Sequence, residues 1–171
     1  SSFMKIGVFG ALIIGVVFIN PEIQFPALTQ FIHGGGPVLG GPVWPFISIT
    51  IACGAISGFH AFIGSGTTPK LVDKWSDILP VAFGAMLAEC VVGVMALIAA
   101  TALHPADYFA INSSPAAFAS LGMNVVDLPQ LSKEIGLDLY GRTGGAVTLA
   151  VGMSYIFTKI SWFSSLSSYF F

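Results

Sequence analysis

The sequence predicts an all-α membrane protein with about four transmembrane helices. Of its 171 residues, 55% are hydrophobic and only 8% are charged, whereas soluble domains carry about 25% charged residues. A water-soluble fold of this size could not cover its surface with so few charges. The 20 glycines and 15 phenylalanines are also typical of membrane proteins, in which glycine allows close helix packing and aromatic side chains face lipid.

Four apolar stretches are the candidate spans, and they lie at about residues 6–20, 43–64, 81–103 and 144–166. The third stretch contains one charged residue, Glu89. At about 1.5 Å of rise per residue, a helix of that length crosses a hydrocarbon core roughly 30 Å thick. The first stretch is short for a full span, and the fourth contains Lys159 and several serines.

The segments between the spans indicate the orientation of the chain. Residues 21–42 are rich in proline and glycine, which break regular structure. Four lysines fall on one side of the membrane if the spans alternate: Lys5, Lys70, Lys74 and Lys159. Because basic residues mark the cytoplasmic side, we expect a cytoplasmic N-terminus. The polar segment 104–142 is then extracytoplasmic, and residues 127–135 within it predict a short surface helix.

Charge and cysteine content exclude several other classes of protein. The formal net charge is −2, so the chain has no basic surface for a nucleic acid. Cys53 and Cys90 lie inside apolar stretches, which indicates small buried side chains rather than a disulfide or a metal pair. The three histidines are far apart and lack the spacing of zinc ligands. We therefore expect neither a metal nor a cofactor.

One motif, His33-Gly34-Gly35-Gly36, matches the oxyanion loop of lipases and esterases. That chemistry also needs a Gly-x-Ser-x-Gly turn between a strand and a helix, and the sequence has none. The motif therefore favours a flexible loop between spans, and we do not expect an enzyme.

The second span carries a polar stripe. At helical spacing, Thr50, Cys53, Ser57, His60 and Gly64 share one face. One interpretation is a close helix contact in which the hydroxyls bond back to the backbone. The other is a helix that is interrupted at its glycines, where freed backbone groups hold a ligand or an ion, as in secondary transporters.

The third span places one acid among small residues. The face that contains Glu89 is otherwise composed of alanine and glycine: Ala82, Ala85, Gly93, Ala96 and Ala100. A carboxylate near the middle of a membrane costs several kcal/mol unless it is paired, neutralised or hydrated. Glu89 is therefore expected to face protein or a cavity, either as a functional group or through a structural hydrogen bond.

Five blocks of sequence, in order, carry a more specific pattern: residues 46–61, 65–70, 83–89, 108–112 and 144–152. The run Ala-Cys-Gly-Ala-Ile-Ser-Gly-Phe-His-Ala at residues 52–61 is the most specific of them. Together the blocks resemble the signature of the carbon starvation protein A family, and the resemblance covers almost the whole chain.

The resemblance implies a multi-pass transporter of the bacterial inner membrane that imports peptides or, in one branch of the family, pyruvate, driven by protons. It also implies that this chain is an internal piece of a longer protein, built on inverted repeats and packed against its remaining helices. The alternative, from another class, is a non-transporting membrane subunit that packs against a partner complex.

The expected substrate site lies on the interrupted helix. We predict irregular backbone between Gly54 and Thr68. Donors from five side chains are expected to bind a substrate carboxylate there: Ser57, His60, Thr67, Thr68 and Lys70. Glu89 is predicted to carry or gate the coupling proton, with His60 as its partner.

Overall fold

The structure is a computed structural model in which residues 2–56 and 58–158 are described. Within those ranges the chain forms helices and no strand, as the composition predicts. The α-helices are α1 (Ser2–Ile19), α2 (Val43–Ala55), α3 (Gly58–Phe62), α4 (Thr68–Leu71), α5 (Ile78–Ala102), α6 (Pro105–Asn112), α7 (Pro115–Ser120), α8 (Leu128–Ile135) and α9 (Gly145–Thr158). A π-helical turn, Ile63–Thr67, joins α3 to α4, and a 3₁₀ turn, Trp75–Asp77, precedes α5.

Among the described residues, two helical segments are long and apolar enough to cross a membrane. They are Val43–Leu71, with a mean hydropathy of 1.8, and Trp75–Ala102, with a mean hydropathy of 2.3. Their 29 and 28 residues exceed the roughly 20 that a bilayer requires. Ile6–Ile19 and Gly145–Thr158 are shorter apolar helices, so the count of four spans stays a prediction. The predicted fourth span lies outside the described residues from Lys159 onward.

The segment Val43–Leu71, called the interrupted helix below, is not one regular helix. α2 ends at Ala55 because Ile56 has a backbone conformation outside the helical region, with φ −134° and ψ 45°. Further along, the Thr68 N–H donates to the carbonyl of Ile63, five residues back, which defines the π-helical turn. The irregular backbone predicted for this stretch is therefore present, and helical structure continues seven residues beyond the predicted end at residue 64.

The chain divides into two compact units. Unit 1 contains the described residues 2–29 and 94–158, and unit 2 contains 30–56 and 58–93. One apolar cluster of unit 1 lies where α1, the end of α5 and α9 meet: Val16, Met95, Ala99, Ala102, Met153, Ile156 and Phe157. A second cluster joins α6, α8 and α9: Leu103, Ala110, Ile111, Leu128, Leu131, Leu139 and Val151. Gly152 permits the close approach of α9 to α5, because a Cβ there would overlap the carbonyl of Ala99.

Buried polar groups fix the short helices of unit 1. The carboxylate of Asp107, at the start of α6, is fully buried and accepts hydrogen bonds from the N–H groups of Val126 (2.8 Å) and Asp127 (2.9 Å). At the other end of α6, the Asn112 amide donates to the hydroxyl of Thr148 in α9 over 2.8 Å. These bonds tie α6 to the start of α8 and to α9. The helix predicted at residues 127–135 is confirmed as α8.

Unit 2 differs because none of its described residues is buried. A helix that is apolar all round belongs in lipid or against other helices, so these segments are built to be covered. The motif at residues 33–36 lies in a turn, in which the Gly35 N–H donates to the carbonyl of Gly41 over 2.9 Å. Gly34, with φ 103°, has no room for a side chain beside Gly41. The motif is thus a glycine-dependent loop between helices.

Candidate functional site

A histidine and a glutamate meet in unit 2. His60 lies in α3, in the middle of the interrupted helix, and its Nε2 is 3.2 Å from Oε1 of Glu89 in α5. The two side chains are 45% and 67% exposed, so neither is sealed off by the described residues. An imidazole and a carboxylate at this distance form an ion pair when the imidazole is protonated, and they share one hydrogen bond when the proton lies between them.

The helices around this pair leave space beside it. Among the described residues, nothing lies within 4 Å of a Cβ placed on Gly54, Gly64 or Gly93. These glycines therefore do not serve a close helix contact within this part of the chain. Of the predicted close helix contact with hydroxyls bonded back to the backbone, only the second part is seen, at Thr50, whose hydroxyl donates to the carbonyl of Phe46 over 3.0 Å.

A cavity of about 690 Å³ lies between the end of the interrupted helix and the start of α5. Most of the residues in its walls are small or apolar, among them Gly64, Ala82 and Ala85. Three are polar: Thr68, Asp73 and Lys74. Ligand pockets are commonly of this size and character, mostly apolar with a few polar groups.

The structure brings together some of the residues that the sequence predicts for a site. His60 contacts Glu89, and Thr68 lines the cavity. Thr67 lies in the π-helical turn and Lys70 in α4, and neither is among the residues that line the cavity. The prediction for Ser57 lies outside the described residues.

The cavity is also lined by Asp73 and Lys74, which were not predicted as site residues from the sequence. In the sequence, Lys74 indicated only the orientation of the chain. The available signal was an acid and a base at adjacent positions in the short connection between two apolar segments. Within the described part of the chain, neither side chain forms an ion pair.

The prediction that both cysteines are buried is wrong. Cys53 and Cys90 were expected to be small buried side chains, but they are exposed and free. The reason is that their faces of α2 and α5 have no packing partner among the described residues. Those residues also contain no group of three or more His, Cys, Asp or Glu side chains that could hold a metal ion.

The sequence of the chain matches one known protein family. A sequence model of the family described as Carbon starvation protein CstA matches residues 1–171. The chain belongs to the CstA family.

Several CstA relatives are similar over nearly the whole chain. Peptide transporter CstA of Bacillus subtilis (strain 168) is 78% identical over 171 residues, which is 100% of this chain and 29% of the relative. Peptide transporter CstA of Escherichia coli (strain K12) is 42% identical over 175 residues, covering 91% of this chain and 25% of the relative. Pyruvate/proton symporter BtsT of the same strain is 39% identical over 199 residues, covering 94% and 27%.

The chain therefore spans between 25% and 29% of the length of these relatives. The relatives are named as transporters and not as enzymes. No solved structure matches the chain.

Proposed function

We propose that this chain is part of a proton-coupled secondary transporter that imports peptides or pyruvate across the bacterial inner membrane. The observation that carries the proposal is the contact between His60 and Glu89, 3.2 Å apart on the two long apolar segments. Ionisable residues within membrane helices are costly and mark substrate or proton pathways. The names of the relatives, which include peptide transporters and a pyruvate/proton symporter, support the same function.

The pair offers a simple way to couple a proton to a substrate. With Glu89 ionised and His60 protonated, the two charges compensate each other in a medium of low dielectric. A proton that arrives from outside neutralises the carboxylate, and the imidazolium then loses its counter-charge. A substrate carboxylate replaces that charge and binds more tightly. Loss of the proton to the cytoplasm restores the contact between the two side chains and favours release of the substrate.

The remaining predicted ligands complete the proposed site. Thr67, Thr68 and Lys70 follow His60 along the interrupted helix, and Ser57 precedes it. Hydroxyls, freed backbone groups and an ammonium are suitable donors to a carboxylate, and interrupted helices commonly present such groups in secondary transporters.

Replacement of Glu89 by glutamine tests the proposal in the full-length protein reconstituted in liposomes. Glutamine imitates the protonated acid and cannot release a proton. We expect the E89Q variant to lose accumulation of labelled pyruvate and of a labelled dipeptide driven by a proton gradient, while it still exchanges them in counterflow. Glu134→Gln, which alters an exposed acid of α8, is the matched control and should behave as the wild type.

Accumulation by the E89Q variant at the wild-type level would show that Glu89 is structural. A full-length protein that neither exchanges nor accumulates either compound would favour the alternative, a non-transporting membrane subunit. That alternative requires other helices to seal the pair away from water, whereas the described residues leave both side chains open.

A further inference from the structure

We infer that the cavity beside the interrupted helix is a substrate-binding site for a zwitterion, in which Lys74 binds the carboxylate and Asp73 binds the ammonium group. The inference rests on the proposed transport function and adds two ligand-binding residues to it. The position of the cavity, its walls and its two opposite charges support this assignment.

The position of the cavity connects it to the His60–Glu89 pair. Ala82 and Ala85 line the cavity, and they precede Glu89 by seven and four residues on one face of α5. On the interrupted helix, Gly64 lines the cavity and follows His60 by four residues. The cavity therefore begins about one helical turn beyond the pair on both of its walls, so a bound molecule would lie on the same path as the coupling residues.

Three positions in the cavity walls, one on the interrupted helix and two on α5, hold small residues and leave room for a ligand. Gly64, Ala82 and Ala85 occupy positions at which larger side chains would fill the space. The irregular backbone of the π-helical turn Ile63–Thr67 lies at this wall, and such turns occur frequently at functional sites. A volume of about 690 Å³ accommodates a short peptide and exceeds what a three-carbon acid needs.

The charges define the chemical class of the ligand. Asp73 and Lys74 both line the cavity, and within the described residues neither is neutralised by an ion pair. An ammonium is a donor without acceptor capacity, and a carboxylate is an acceptor. One acid and one base in a single small cavity are therefore complementary to a molecule that carries one group of each kind. Of these two residues, a simple monocarboxylate would use Lys74 alone.

The occupancy of the cavity is tested by cysteine protection in the full-length protein, with all native cysteines replaced by alanine. Ala85→Cys places a thiol in the cavity wall, and Met86→Cys places one on the next residue, which does not line it. We expect a small charged thiosulfonate to modify both. A dipeptide at about ten times its dissociation constant should slow modification of the Ala85→Cys thiol about tenfold and leave the control unchanged.

The two charges are tested by transport kinetics. Asp73→Asn should raise the KM for a dipeptide about tenfold and leave the KM for pyruvate unchanged, because pyruvate has no ammonium group. Lys74→Gln should raise the KM for both. Asp77→Asn is the matched control, because Asp77 accepts a hydrogen bond from the Ser76 hydroxyl over 3.1 Å and does not line the cavity.

The outcomes separate this inference from the proposed function. If the protein transports the dipeptide but the Ala85→Cys thiol is inert or unprotected, another helix fills the cavity and the inference is wrong. An unchanged KM of the Asp73→Asn variant, or transport of pyruvate alone, overturns it as well, while the transport function stands. If the cavity binds a dipeptide as described but the E89Q variant still accumulates it, the site is correct and the proposed proton coupling fails.

Discussion

Nε2 of His60 lies 3.2 Å from Oε1 of Glu89, and the two residues belong to different apolar segments. One segment is interrupted close to His60, whereas α5 is continuous through Glu89. The pair thus joins an irregular helix to a regular one. A change in the backbone of the interrupted helix would move the imidazole, while the carboxylate would keep its place on α5.

The proximity of the pair predicts a metal bridge in a double variant. With His60→Cys and Glu89→Cys in a full-length, otherwise cysteine-free protein, the two thiolates should bind Cd²⁺ together, because soft metals prefer thiolate ligands. Micromolar Cd²⁺ should then protect both thiols of the double variant from modification by a maleimide, and much higher concentrations should be needed in either single variant. Equal sensitivity of all three variants would show that the two positions are not adjacent in the full-length protein.

The orientation of the chain gives a second prediction. In the sequence, Lys74 precedes and Asp138 follows Trp75–Ala102, the more apolar of the two long segments. If that segment crosses the membrane once, cysteines at the two positions should react with an impermeant reagent from opposite sides, and Lys74→Cys from the cytoplasm. Asp127→Cys, in the same polar segment as Asp138, should react from the same side as Asp138→Cys. Labelling of Lys74→Cys and Asp138→Cys from one side contradicts the predicted topology.

Replacement of the buried Asp107 of unit 1 by asparagine, which has nearly the same shape, should lower the stability of the protein. In the Asp107→Asn variant, one carboxylate oxygen becomes an NH₂ group that cannot accept a hydrogen bond from the N–H of Val126 or Asp127. A buried donor left without an acceptor costs about 1–3 kcal/mol, so the free energy of unfolding should fall by that amount. Urea unfolding in detergent, followed by circular dichroism, measures it.

The matched control is Asp138→Asn. Its carboxylate also accepts a backbone N–H, that of Tyr140 over 3.2 Å, but at an exposed position where water can replace the bond. Equal stabilities of the two variants would contradict the role assigned to Asp107 as the link between α6 and the start of α8.

The sequence predicts best what depends on local composition. Apolar length located the two long segments, and the glycines near residues 54–66 located the interruption, since glycine stabilises helices poorly. Helical periodicity predicted which small residues share a face with Glu89. His60 was the predicted partner of Glu89, but the sequence does not determine whether the two side chains touch. Their contact depends on the rotation of one helix about its axis, and the irregular backbone at Ile56 changes that rotation.

Other features depend on partners that are distant in the sequence. Asp107 accepts hydrogen bonds from backbone N–H groups 19 and 20 residues away, and no local pattern in the sequence identifies such donors. The exposure of Cys53 and Cys90 was missed because apolar surroundings in sequence were taken as burial in space. In a membrane helix that inference fails, since apolar faces there can point to lipid. The position of Lys74 in the cavity wall could not be predicted either, because it depends on how α4 and α5 are arranged in space.

The π-helical turn gives the last prediction. Its hydrogen bond spans five residues instead of four, so it holds one residue more than an α-helical turn. Deletion of Gly66 should let the turn become α-helical. Because each residue of an α-helix adds a rotation of about 100°, Thr68 and His60 could no longer keep their places at the cavity and at Glu89 together. Counterflow exchange should be lost at normal protein levels in the membrane.

Gly66→Ala is the control for this deletion. Nothing lies within 4 Å of a Cβ at Gly66, and its φ is not in the left-handed region, so alanine fits without moving its neighbours. The substitution retains the number of residues and therefore the rotation of α4 relative to α3 about the helix axis (the phase). Exchange should continue. If the deletion variant exchanges substrate as fast as Gly66→Ala, the phase set by the turn is not required. If the deletion variant also accumulates substrate under a proton gradient as the Gly66→Ala variant does, the His60–Glu89 contact is not the coupling element, because the deletion changes the rotation of α3 relative to α4 and the cavity.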